Sequence, residues 1–189
     1  MDKADQWDVL FLMQHYRAPT RLLDWSEVLF VALYFAVNYV KPGDQLTPRV
    51  FVLNPYLWNK KQGADRDLYF PRFFGYDKRE DYYYDYGELL VEPHGIDWEA
   101  PIALYPAQRD ARLSAQHGYF TIHGTDARPM EKMAPELLVA IDLTSDAVED
   151  AKETLAMSGY NEYALFPDLE GLSRHLLATH RLPVPYLRY

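Results

Sequence analysis

Cysteine is absent from the 189 residues, which excludes disulfides, thiol nucleophiles, CxxC redox pairs and Cys-based zinc sites together. Nothing in the chain requires an oxidising compartment. Glycine is scarce, with nine residues, and never falls at GxGxxG or GxxxxGK spacing. HExxH, GxSxG and EF-hand patterns are missing too, and each absence removes a class of enzyme. Long hydrophobic runs are lacking: the longest uncharged stretch, residues 28–40, has thirteen members, against the ~20 that a membrane-spanning helix needs. The first residues, Met1-Asp2-Lys3-Ala4-Asp5-Gln6, carry no basic region followed by an apolar core. No secretory signal is therefore expected, and the cytoplasm is the default location. Positive charge is in deficit, 19 Lys and Arg against 28 Asp and Glu for a net charge of −9. That balance repels a phosphate backbone and argues against general nucleic-acid binding. The six histidines include no i, i+4 pair, so no metal site is expected.

What remains describes a folded protein. At 22.1 kDa the chain is sized for one domain, and 49% hydrophobic residues supply a sizeable core. Sixteen Tyr, nine Phe and four Trp argue against disorder.

The pattern along the chain predicts a helix over 7–16, with Val9, Leu10, Leu12, Met13 and Tyr16 as its apolar stripe, ended by Pro19. Asp24 with Glu27, or Ser26 one step on, caps a second helix that starts near Trp25 and runs to Val40. Being apolar on every face, that helix should be central and buried, and Lys41-Pro42-Gly43 stops it. Strands are expected at 49–53, 101–106, 119–122 and 137–141. Further helices are expected behind Asn54-Pro55, over 107–116, from a Ser145 cap to Ser158, and over 168–179. The order lacks regular strand-helix alternation, so the expected class is α+β, a small mixed or antiparallel sheet around the helix over 25–40. Residues 62–93 read as an insertion, in which nine of the eighteen residues over 69–86 are Tyr or Phe. It packs on the domain or offers a surface to a partner protein.

Polar groups concentrate at the bend Gln14-His15-Tyr16-Arg17-Ala18-Pro19-Thr20-Arg21-Leu22-Leu23-Asp24-Trp25-Ser26. A second set, Arg109, Arg112 and Gln116, shares one helix face ahead of His117 and Tyr119. Arginine forks suit phosphates, whereas the structural alternative is that these groups cap helices and pair with acids.

The run Gln14-His15-Tyr16, then Ala18-Pro19-Thr20-Arg21-Leu22-Leu23-Asp24-Trp25-Ser26 and Val31-Ala32-Leu33-Tyr34-Phe35-Ala36, closely resembles the hallmark stretch of the FRG domain family. Arg112, Gln116, Gly118 and Phe120 look like that family's next segment, and Leu165-Phe166-Pro167-Asp168-Leu169-Glu170-Gly171-Leu172 like its C-terminal signature. The Phe-Arg-Gly tripeptide that names the family is absent from the chain, and position 17 is Arg where the family usually has Gly. The resemblance implies a domain of bacterial or phage proteins with no settled activity. A weaker resemblance links the Ser-bearing turn and following helix to ADP-ribosyltransferases of the Arg-Ser-Glu type, and implies NAD or another nucleotide as ligand. By that analogy Ser26 and Asp24 order the pocket, Arg21 or His15 faces phosphate, and Gln116 stands at the downstream catalytic position. Gln14, Tyr16, Arg17, Thr20, Trp25, Arg112, His117 and Tyr119 would line the ligand, with residues 14–26 and 109–120 as the walls of one pocket. Catalysis stays open, and the rival reading is a non-catalytic interaction module that uses the tyrosine-rich run.

Overall fold

The computed structural model describes residues 3–38, 40, 47–63, 68, 99–106 and 111–180. The aromatic run over 69–86, and Arg109, lie outside the described residues. Helix α1 (Lys3–His15) forms where apolar periodicity predicts a helix, but a different stripe faces inward. Trp7 and Leu10 are buried and Phe11 is half-buried against Phe120, with ring centroids 4.9 Å apart. Val9, Leu12, Met13 and Tyr16 are exposed. The rings of Trp7 and Phe11 bury more apolar area than Val9 or Met13 could, so the stripe at 7, 10 and 11 sets the helix rotation.

The predicted helix start near Trp25 is overturned, because residues 22–26 are strand β1 (Leu22–Ser26). It lies beside β4 (Gly118–Ile122). Backbone bonds flank the pair, from the His123 N–H to the Arg21 carbonyl at 2.9 Å and from the Glu27 N–H to the His117 carbonyl at 3.3 Å. These bonds run the strands in opposite directions. The residues expected to form a capping box are used elsewhere: Asp24 accepts from Gln14, and Glu27 meets the His117 ring. Helix α2 (Leu29–Val37) starts later, behind Val28, with no side-chain cap. Ser26 closes the turn before it by accepting the Val28 N–H at 3.1 Å. Burial is also one-sided: Val31, Tyr34 and Val37 are buried, whereas Leu29 is 58% exposed.

β4 pairs on its other side with β3 (Ile102–Leu104), antiparallel, with Ile102 opposite Ile122 and Leu104 opposite Phe120. β2 (Arg49–Leu53) and β5 (Leu138–Asp142) form a separate two-stranded sheet, joined at one end by an Arg49–Asp142 ion pair. The class is α+β, as expected.

The described chain separates into two compact units. The first comprises Met1–Trp25, Phe51–Gln108 and Tyr119–Ala140. Its core holds Trp58, Met130, Ala134 and Leu138, with Trp25 and Phe51 packed against them. Helix α3 (Pro55–Lys61) begins as predicted, with the Asn54 side chain accepting the Leu57 N–H at 3.1 Å. It carries Asn59 into the interior, where the amide exchanges two hydrogen bonds with Ala103 of β3, at 2.9 and 2.8 Å. A buried amide left unpaired would cost about 1–3 kcal/mol, so this match is a condition of the packing.

The second unit comprises Ser26–Val50, Arg109–Gly118 and Ile141–Tyr189. It includes helix α4 (Ala111–Ala115), and helix α5 (Met130–Met133) belongs to the first unit. α2 packs there against α6 (Ser145–Met157) and α7 (Glu162–Leu165) through Val31, Tyr34, Val37, Val148, Leu155, Leu165 and Phe166. The cap of α6 is Thr144, whose hydroxyl accepts the Ala147 N–H, where Ser145 was expected. Gly159 ends α6 at φ 78°, as its position predicts. Helix α8 (Leu169–His180) opens with the Asp168 carboxylate accepting the Gly171 N–H at 2.7 Å. Among the described residues no helix is long and apolar enough to cross a membrane.

Two glycines of this unit are needed for opposite reasons. A Cβ on Gly171 would stand 1.9 Å from the Phe166 carbonyl oxygen, a backbone atom that cannot swing away. A Cβ on Gly159 meets nothing within 4 Å, and only its left-handed φ favours glycine. Gly171→Ala is therefore expected to cost about 3 kcal/mol by overpacking, and Gly159→Ala about 1 kcal/mol by backbone strain alone. Urea midpoints of the two variants check the order, which a larger loss at Gly159 would reverse.

Candidate functional site

The predicted site residues divide between the units. Gln14, His15, Tyr16, Arg17, Thr20, Arg21, Asp24, Trp25 and Tyr119 belong to the first, and Ser26, Arg112, Gln116 and His117 to the second.

In the first unit α1 ends in a tight cap. The Arg17 N–H bonds the Gln14 carbonyl at 3.0 Å and the Ala18 N–H bonds the Met13 carbonyl at 2.9 Å. This is the Schellman pattern, which places the residue after the cap in the left-handed region. Arg17 occupies that position at φ 61°. Glycine is the residue that suits this position, since an L side chain pays about 1–2 kcal/mol there. The same turn leaves the ring of Tyr16 74% exposed, with the His15 ring set edge-on to it at 5.1 Å.

After Pro19 the chain enters β1 through three linked groups. The Gln14 amide donates to Asp24 Oδ2 at 2.7 Å, the Thr20 hydroxyl donates to Gln14 Oε1, and the Leu22 N–H donates to the Thr20 hydroxyl at 3.1 Å. Trp25 is held inward, its Nε1 donating to Thr121 at 3.1 Å. Tyr119 packs its ring on Tyr105 at 5.6 Å.

Arg21 differs from its neighbours. It is half-buried and donates to the Gly124 carbonyl at 3.2 Å, and among the described residues it forms no ion pair with a carboxylate. His123, whose main chain bonds that of Arg21, escapes a reading of the sequence because it stands alone in a strand end with no motif around it. Burial, and next the Arg21 charge, hold its imidazole below the ordinary histidine pKa. Arg21 and His123 together form a half-buried, donor-rich corner of this unit.

In the second unit the polar residues are bonded mainly to backbone carbonyls. The Ser26 hydroxyl donates to the Gln116 carbonyl at 2.7 Å, and the Gln116 amide donates to the Leu165 carbonyl at 3.0 Å. The Arg112 guanidinium stacks 4.7 Å over the ring of Phe166. His117, at φ 47°, ends α4 and meets Glu27 at 3.0 Å, an exposed pair of small energetic weight. The segment Arg112 to Gly118 and the Leu165-Phe166 turn thus interlock within this unit through Arg112 and Gln116. Among the described residues no group of three or more His, Asp or Glu could hold a metal ion.

The FRG domain model matches residues 1–45, the stretch that contains the bend and α2. No curated protein and no solved structure matches the chain.

Two measurements follow from the first unit. Replacing Arg17 by Gly removes the left-handed strain and is expected to raise stability by about 1 kcal/mol; an unchanged or lower urea midpoint would contradict the cap. A His held neutral takes up its proton in the unfolded chain first, so His123 withdraws stability as the pH falls from about 6.5 toward its lowered folded value. The fall in urea midpoint between pH 7.5 and 5.5 should therefore be smaller in His123→Gln than in the parent, and an equal fall would contradict a shifted His123.

Proposed function

We propose that the loop over 16–21 and its flanks bind an anionic ligand of the nucleotide class, NAD or ADP in kind, and that this is the function of the FRG-type segment. One observation carries the reading: Arg21 is a half-buried guanidinium that donates to a carbonyl and has no carboxylate counter-charge among the described residues. A guanidinium has five N–H donors in a planar fork, and the Gly124 carbonyl engages one nitrogen. Phosphate oxygens satisfy the rest bidentately and supply the missing negative charge.

The other end of the loop supports the same ligand class. Tyr16 offers an exposed aromatic face on which a base can stack, and Arg17 adds a second cation beside it. That Arg17 is kept in a conformation that favours glycine fits a side chain retained for binding at the expense of stability. The net charge of −9 makes a local cationic loop more selective, because the surrounding field repels anions that it cannot hold at short range.

ADP-ribosyl transfer is the finer form of this reading. It would break the bond between nicotinamide and ribose and pass the ribosyl carbon to an acceptor, with positioning and charge stabilisation as the means. Ser26 and Gln116, which the analogy assigns to that chemistry, hold backbone carbonyls in the second unit. The reading therefore rests on binding, and nicotinamide release from NAD tests the transfer separately. The interaction-module alternative depends on residues 69–86, outside the described chain.

Calorimetric titration with ADP and with NAD is the direct test. Binding is expected, weakened about tenfold or more by Arg21→Gln and reduced by Tyr16→Ala and by added salt. Arg17→Gly should bind less well while unfolding at higher urea. Absence of heat with both ligands would remove the nucleotide reading.

A further inference from the structure

We propose that Gln14, Thr20 and Asp24 act as positioning residues, a clamp with one permitted donor direction that holds Tyr16 and Arg17 in place for the ligand. The inference rests on the nucleotide reading of the loop, and it moves Gln14 and Thr20 from touching the ligand to shaping, with Asp24, the loop that does.

The direction follows from elementary hydrogen-bond chemistry. An ionised carboxylate only accepts, so Asp24 requires the Nε2 end of Gln14, which stands 2.7 Å away. With Nε2 committed, the Oε1 end faces Thr20 and must accept, so the Thr20 hydroxyl donates to it. With its proton committed, Thr20 has lone pairs left for the Leu22 N–H, which arrives at 3.1 Å. No member of the chain can reverse without facing two donors or two acceptors at each other. The Asp24 charge therefore fixes the polarity of every link.

The clamp spans the whole loop. Gln14 sits in the last turn of α1, and its own carbonyl accepts the Arg17 N–H at 3.0 Å. Its side chain reaches Thr20 at the far end of the loop and Asp24 within β1. One residue thus ties the helix end, the loop and the strand together, main chain on one side and side chain on the other. Arg17 stays left-handed because both ends of its loop are held, and Tyr16 keeps its exposed orientation for the same reason.

The test separates shaping from contact by using variants that differ in polarity. Asp24→Asn keeps a side-chain oxygen that accepts from Gln14, whereas Asp24→Ala and Thr20→Val each remove one link. Two readouts are taken on the full chain: ADP affinity by calorimetry, and hydrogen exchange of the Arg17 and Ala18 amides by NMR. Asp24→Ala and Thr20→Val should each weaken ADP binding about tenfold and accelerate exchange at both amides, while Asp24→Asn stays within roughly threefold of the parent in both readouts. Asp24→Asn losing affinity as completely as Asp24→Ala, with exchange unchanged, would overturn the clamp by showing that the carboxylate itself meets the ligand. Asp24→Ala with both readouts unchanged would overturn it as well. A parent chain that binds no ADP yet shows the expected exchange pattern would instead overturn the ligand reading on which the positioning role depends.

Discussion

A helix that stops leaves its last carbonyls without partners, and among the described residues the chain meets this constraint in the same way four times. α1, α3, α4 and α6 each turn through a left-handed residue just past their ends, at Arg17, Gly63, His117 and Gly159. In α1 and α6 the same two backbone bonds close the turn, from residues 17 and 18 in one and from 159 and 160 in the other. Much else hangs on these terminations. The first presents Tyr16 and Arg17, the third brings Gln116 and His117 to Ser26 and Glu27, and the fourth delivers the chain to the Asn161 cap of α7. Glycine fills two of the four positions at no steric cost, and an Arg and a His fill the others against their preference.

Legibility in the sequence follows how local each signal is. Asn54-Pro55 and Gly159 act within one turn of their own positions, and their helix boundaries were readable. The class α+β was readable as well, from the mixture of short strand and helix patterns. The start of α2 was not, because Asp24 and Glu27 carry a capping pattern whose carboxylates are engaged by other partners, one of them ten and the other ninety residues away. Asp24 is taken by Gln14, Glu27 by His117, and the backbone of the same segment by β4. Spacing alone cannot show a competitor ninety residues distant, and the same limit hid His123 beside Arg21. The inward face of α1 failed for a different reason, since periodicity finds a stripe but not which of two overlapping stripes carries the larger rings.

The polar and glycine residues of the stretches 112–120 and 165–172 are explained in large part as packing. Gly171 is required where the Phe166 carbonyl leaves no room for a Cβ, and Gly118 stands where a Cβ would run into the Leu113 side chain. Arg112 lies on Phe166 and Gln116 on the Leu165 carbonyl, so the segment before β4 and the segment after α7 recognise each other. Asp168 is a helix cap. A motif can therefore be long and specific while most of its members serve the fold. Residue identity within such a motif is weak evidence of chemistry until the partners of each polar group are known.

The same criterion separates the two polar clusters. In the second unit the hydroxyl of Ser26 and the amide of Gln116 donate to carbonyls, and Arg112 covers an aromatic ring, so a ligand there would have to displace bonds already made. In the first unit Gln14, Thr20 and Asp24 also satisfy one another, yet Arg21 retains donor capacity and lacks a counter-charge among the described residues. Its field already reaches His123, whose pKa burial and that charge hold below the ordinary histidine value. An incoming anion would neutralise Arg21 and remove one of the two causes that hold the His123 pKa down. Binding at this corner should then draw a proton onto the histidine, so that the affinity for an anion increases as the pH falls toward the His123 range.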